Sequence, residues 1–158
     1  MKDYRWRITH DKLNDEYAFI PAYDIEASAG HGMFSDGAVQ PTRHLAFRKN
    51  WLIHKNLKIK DLAIIYTKGD SMVPTIPEKS AILVDMLRNR PLDGRIYVIR
   101  IDDRLYVKRT QWLINGGLRL ISDNKELYDP IDITKAELEN NNIEVVGQVI
   151  HVNFDLPD

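Results

Sequence analysis

A succession of short β-branched runs, each closed by turn residues, constrains this chain more than any other feature. Runs at 62–67, 81–85, 96–101, 105–109, 112–114 and 118–122 follow one another closely, and 143–154 closes the series. Their lengths and patterns are those of strands rather than helices. Asp102-Asp103-Arg104 and Asn115-Gly116-Gly117 separate neighbouring runs, and Asn-Gly tolerates the positive φ that tight hairpins need. Gly147 inside the last run marks a bulge or a close approach. The pattern predicts a mostly β domain. One short helical segment is expected within 43–60, where Trp51-Leu52-Ile53 and Leu57 form an apolar stripe. Upstream, Tyr23, Ile25, Ala27 and Ala29 alternate with Ala22, Asp24, Glu26 and Ser28. That period of two predicts an extended strand starting at Pro21. Gly30, Gly32 and Gly37 make 30–38 a loop, and residues 1–20 show no period.

Composition narrows the class. The chain has 158 residues, a net charge of −1 and no cysteine. This is about one domain, with no overall basic field for nucleic acid and neither disulfides nor thiolate metal sites. The longest apolar run, 62–66, falls far short of the roughly 20 residues of a membrane span, and the amino terminus lacks the apolar stretch of a secretory signal. A soluble, cytoplasmic protein is expected. His10, His31, His44, His54 and His151 show no metal-ligand spacing, so neither metal nor cofactor is expected.

Chemistry concentrates in Gly69-Asp70-Ser71-Met72-Val73-Pro74-Thr75 and in Lys108 of Tyr106-Val107-Lys108-Arg109. A serine in a Gly-Asp turn after an apolar strand can present its hydroxyl with little obstruction. Backbone N–H groups of Asp70 and Ser71 could face a developing oxyanion. The hydroxyl needs a base. A lysine in water, with a pKa of about 10.4, is rarely neutral at pH 7, but burial lowers that value. Lys108 alternates with Val107 and could point into a half-buried groove, although the local pattern alone favours a solvated strand lysine. Ala27-Ser28-Ala29 puts two small side chains on one face of an extended strand, as a cleft with shallow pockets requires. It also fits a plain small-residue strand entering a loop.

Together, in this order, these segments resemble the self-cleaving serine peptidases that include LexA, UmuD and phage repressors of the lambda type, over about residues 21–154. The resemblance rests on Tyr23-Asp24-Ile25-Glu26-Ala27-Ser28-Ala29-Gly30, on the 69–75 string and on Arg100-Ile101-Asp102-Asp103 through Lys108-Arg109. It implies a compact, twisted, multi-strand LexA-like carboxy-terminal peptidase fold. It makes Ser71 the nucleophile, Lys108 the general base, Ala29-Gly30 the bond cut, and Ala27 and Ile25 part of the substrate strand. Residues 1–20 are then an arm or remnant linker, 21–38 the cleavage-site strand and loop, and 39–158 the autopeptidase and dimerisation domain. The implied role is that of a phage-repressor-type transcriptional regulator inactivated in the SOS response to DNA damage. The implied partners are a second copy of the chain, with 143–154 as a contact, and an activated recombinase filament on single-stranded DNA. DNA itself would be bound only through a helix-turn-helix domain that the stretch before Gly30 is too short to hold. A UmuD-like accessory subunit of an error-prone polymerase is the alternative. One departure stands out: Pro77-Glu78-Lys79-Ser80 occupies a position where the family commonly has a Gly-Asp turn.

Overall fold

The computed structural model describes residues 10–26 and 39–156. In chain order these form α1 (His10–Glu16), β1 (Tyr17–Asp24), β2 (Arg43–Arg48), α2 (Lys49–His54), a 3-10 turn (Ile59–Asp61), β3 (Leu62–Tyr66), β4 (Ala81–Asp85), β5 (Ile96–Ile101), β6 (Arg104–Trp112), β7 (Leu118–Ile121), β8 (Ile131–Ile133), α3 (Lys135–Leu138) and β9 (Ile143–Asn153). Among the described residues the strands make one sheet in the order β2-β1-β3-β4-β9-β5-β6-β7-β8. The mostly β architecture is as expected.

Both faces of the middle of this sheet are covered. Leu62, Ile64 and Leu83 pack on one side with Ala18, Ile20, Ala22, Leu52 and Leu57. Ile65, Ile82 and Val84 pack on the other with Met72, Ile76, Val98 and Val107. That is why the β3 sequence is a continuous apolar run: a strand buried on both faces has no polar side. A third cluster, around Tyr97, Ile99, Leu118 and Leu120, fills the far half. Full burial of one side chain such as Ile20 contributes roughly 1.5–3 kcal/mol.

The hairpins follow their turn residues. Asp102, at φ +50, and Asp103 join β5 to β6, with Ile101 opposite Arg104. In the next hairpin Gly116 is at φ +81, and Gly117 accepts from the Leu113 amide at 2.8 Å. The runs at 105–109 and 112–114 are not separate strands. They belong to the continuous β6 and the turn after it, because Thr110 and Gln111 keep pairing with β7.

The short helix expected within 43–60 is α2, and an unforeseen strand, β2, precedes it with Leu45 and Phe47 partly buried on one face. Two expectations need correction. The amino-terminal strand begins at Tyr17, before Pro21. Proline is tolerated there because β1 pairs only with β2 at that point, and contact with β3 starts at Ala22. The core therefore reaches back to Ala18 and Ile20. Short helices also number more than one. α3 starts at a capping box between Thr134 and Glu137.

Gly147 lies opposite Val98, and β9 carries an extra residue between its pairings with Ile99 and Val98, so the expected bulge is present. A Cβ at Gly147 would lie 2.5 Å from the Asp85 carbonyl oxygen.

Lys79, in the family-departing turn, has φ +57. This left-handed conformation disfavours side chains with a Cβ. Lys79→Gly is expected to stabilise the protein by about 0.5–1 kcal/mol in urea unfolding, the left-handed relief exceeding glycine's added unfolded-state entropy. An unchanged or lower midpoint would count against strain at this turn.

Candidate active site

The serine turn hangs from the end of β3. Gly69 takes φ +85, which glycine adopts freely. The chain then coils: Val73 N–H donates to the Asp70 carbonyl at 3.1 Å and Ile76 N–H to that of Met72 at 2.9 Å. Met72 and Ile76 are buried and anchor the turn in the core, leaving Ser71 partly exposed just ahead of them. Among the described residues no acceptor takes the amide of Asp70 or Ser71.

Lys108 comes from the middle of β6, where Tyr97 pairs with it across the hairpin. Only 7% of it is exposed. Its Nζ donates to Ser71 Oγ at 2.9 Å and lies 5.6 Å from the centre of the Tyr128 ring. Among the described residues no carboxylate lies within ion-pair reach of this amine. Burial without a compensating charge pushes its pKa below that of an ordinary lysine. The two side chains singled out in the sequence, 37 residues apart, are thus in direct contact. Arg109, its neighbour, is not free on the surface: it forms a two-pronged pair with Asp123, at 2.8 and 2.6 Å.

A cleft of about 130 Å³ runs past Ser71 and Lys108, walled by Ile25, Met72, Leu105 and Val107 among others. It continues toward Glu26, Asp103 and Arg104. Its size suits small side chains, and its wall mixes those apolar residues with Thr67 and Lys68. Ile25, expected in the substrate strand, lines both parts, and its amide donates to the Tyr66 carbonyl at 3.2 Å. Glu26 pairs with Lys68 at 2.8 Å, and because both are well exposed the pair contributes little to stability. The chain therefore enters the 27–38 stretch at the mouth of the cleft. Ala27, Ser28, Ala29 and Gly30 lie outside the described residues.

Sequence reasoning missed one segment, the loop after β7. The Asn124 amide donates to the Ser71 carbonyl at 3.0 Å, and its Nδ2 donates to the Asp70 carbonyl at 3.2 Å. With both carbonyls held, the peptide planes of the turn are fixed. Tyr128 donates its hydroxyl to the Asp70 carboxylate, and that bond raises the phenol's pKa. Asp123, besides its Arg109 pair, accepts from Thr75 Oγ1. The Arg109 hydrogen bonds hold the Asp123 carboxyl below the usual carboxylate range. The faint signal was Asp-Asn after an apolar strand, which alone reads as any turn.

Among the described residues no group of metal-ligating side chains is found, and no helix is long and apolar enough to cross a membrane.

An accessible serine against a buried lysine on a mostly β scaffold defines a serine-peptidase type of domain. Residues 21–150 match the Peptidase S24-like family, and the chain belongs to that family. It is similar to an uncharacterized HTH-type transcriptional regulator of Haemophilus influenzae, 35% identical over 147 residues, which cover 91% of this chain and 59% of that protein. The HTH-type transcriptional regulator PrtR of Pseudomonas aeruginosa is 30% identical, covering 87% and 54%. The repressor protein CI of Enterobacteria phage phi80 is also 30% identical, covering 80% and 54%. The chain thus spans little more than half the length of these relatives.

Proposed function

We propose that this domain cuts its own chain at Ala29-Gly30, with Ser71 as nucleophile and Lys108 as general base. The contact of 2.9 Å between a buried amine and a partly exposed serine hydroxyl carries this reading. In the reactive state Lys108 is neutral and accepts the hydroxyl proton. The Ser71 Oγ bonds to the Ala29 carbonyl carbon, and the oxyanion is met by amides of the Asp70-Ser71 turn. The carbon–nitrogen bond then breaks, and Lys108 returns the proton to the Gly30 nitrogen. Water, deprotonated by Lys108, hydrolyses the acyl-serine and frees both product and serine. Because the chain enters 27–38 at the cleft mouth, the substrate is tethered, and the rate depends on how often it docks.

The relatives named as repressors and HTH-type regulators favour a role in transcriptional control over that of a polymerase accessory subunit. In this reading cleavage is the first step in inactivating a repressor during the SOS response. An activated recombinase filament on single-stranded DNA stabilises the docked state. A second copy pairs with the domain, which the mass in solution tests. The backbone of β9 is occupied on both sides by β4 and β5, so that pairing uses side chains at 143–154 rather than strand addition.

The testing experiment is a pH series. Only the neutral amine accepts a proton, and burial lowers the pKa of Lys108. Cleavage should therefore rise about tenfold per pH unit and level off below the pKa of an ordinary lysine, about 10.4. Fragments 1–29 and 30–158 are read by mass under denaturing conditions. A rate independent of pH between 6 and 10, or fragments produced equally by Ser71→Ala, would exclude the dyad.

A further inference from the structure

We propose that the slot between β2 and β3 is a binding site for the amino-terminal cleavage product, so that cutting the chain does not by itself release that product. The identity of the cut rests on the reading above; the site does not. β1 precedes the 27–38 stretch, and among the described residues both strands that flank it follow that stretch. On one side β1 pairs antiparallel with β2, from Tyr17 opposite Arg48 to Ala22 opposite Arg43. On the other it pairs parallel with β3, from Ala22 beside Ile64 to Asp24 beside Tyr66. β1 is thus an inserted strand, with β2 outside it at the sheet edge.

The side chains repeat the arrangement. Ala18, Ile20 and Ala22 are buried against Leu52, Leu57, Leu62, Ile64 and Leu83, all beyond the stretch. Further bonds reach across it. The Thr42 amide donates to the Ala22 carbonyl at 2.9 Å, Lys49 donates to the Asn14 carbonyl, and Lys68 pairs with Glu26. None of these contacts includes a residue between 27 and 38. A break there removes one covalent link and leaves the ladder, the apolar contacts and the ion pair in place. The partner chemistry is that of strand addition, main-chain hydrogen bonds plus alternate apolar side chains in fixed pockets. The occupant is a segment of the same chain. Release then requires the sheet to open around β1, a local unfolding event distinct from hydrolysis. In a longer relative, whatever precedes β1 stays attached until that opening occurs.

The test does not depend on self-cleavage. In a Ser71→Ala chain, residues 31–36 are replaced by the recognition sequence of a foreign endopeptidase, and the chain is cut to completion, as judged by denaturing mass. The two pieces should elute together by size exclusion in native buffer and separate in urea. Amides of residues 18–22 should keep their hydrogen-exchange protection after the cut. Elution of separate pieces in native buffer, or loss of protection at these amides on cutting, would overturn the proposal. Ile20→Asp, in the same background, should abolish co-elution after the cut. If the uncut Ile20→Asp chain is itself unfolded, the exchange measurement on the parent chain decides alone. Failure of Ser71 to cleave anything would leave this result standing, so the two readings fail separately.

Discussion

Lys108→Met should lower self-cleavage by about 10²–10⁴-fold, the usual worth of a positioned base, while leaving a protein at least as stable as the parent. Methionine keeps the length and most of the volume of the lysine stem, so the space beside Ser71 stays filled. It has no proton acceptor of the needed strength, so the Ser71 hydroxyl is left unactivated. The stability claim follows from linkage. The folded-state pKa of Lys108 lies below its unfolded value because burial disfavours the ammonium. Between those two values the unfolded chain binds more protons, so stability rises with pH through that window. Below it the full cost of holding the ammonium is present, and methionine removes that cost. The melting-temperature gain of Lys108→Met should thus be largest near neutral pH and vanish by about pH 10.4. Unimpaired cleavage, or a gain that grows with pH, would refute the assignment.

Gly147→Ala should cost about 3 kcal/mol, at the upper end for overpacking, and lower the melting temperature by roughly 6–12 °C for a domain of this size. The new Cβ would sit 2.5 Å from the Asp85 carbonyl oxygen and 2.9 Å from its carbon and from the Met86 Cα. All three atoms are backbone, and Asp85 is also held by the β4–β9 ladder opposite Gln148. No rotamer change relieves the clash, so the two strands must separate locally. Urea unfolding of the variant against the parent measures the cost. A loss below about 1 kcal/mol would show that the ladder yields more easily than its geometry implies.

Strands β3 to β5, β7 and β9 were legible because period, β-branching and turn chemistry agree within each few residues, whereas β6 was read as two runs. β2 was not, because Leu45, Phe47, Trp51 and Leu52 satisfy a strand followed by a helix as well as one longer helix. The start of β1 was hidden by Pro21, whose missing N–H matters only if a neighbour needs it there. Ser71 and Lys108 could be singled out together because the string around the serine is long and distinctive. Asp123, Asn124 and Tyr128 could not, since each is an ordinary turn residue until the fold sets it against Asp70, Ser71 and Thr75. The burial of Lys108, which makes the amine useful, comes from tertiary packing that the local alternation of β6 leaves open.

The loop that grips the serine turn also sets an order of events during synthesis. A ribosome delivers 27–38 early, then Ser71, then Lys108, and Asn124 and Tyr128 last of these. Until the β6–β7 hairpin and the loop beyond it have emerged, the amine has no dry setting and the turn carbonyls have no clasp. Under the proposed reading, the bond to be cut leaves the exit tunnel long before the residues proposed to cut it can assemble.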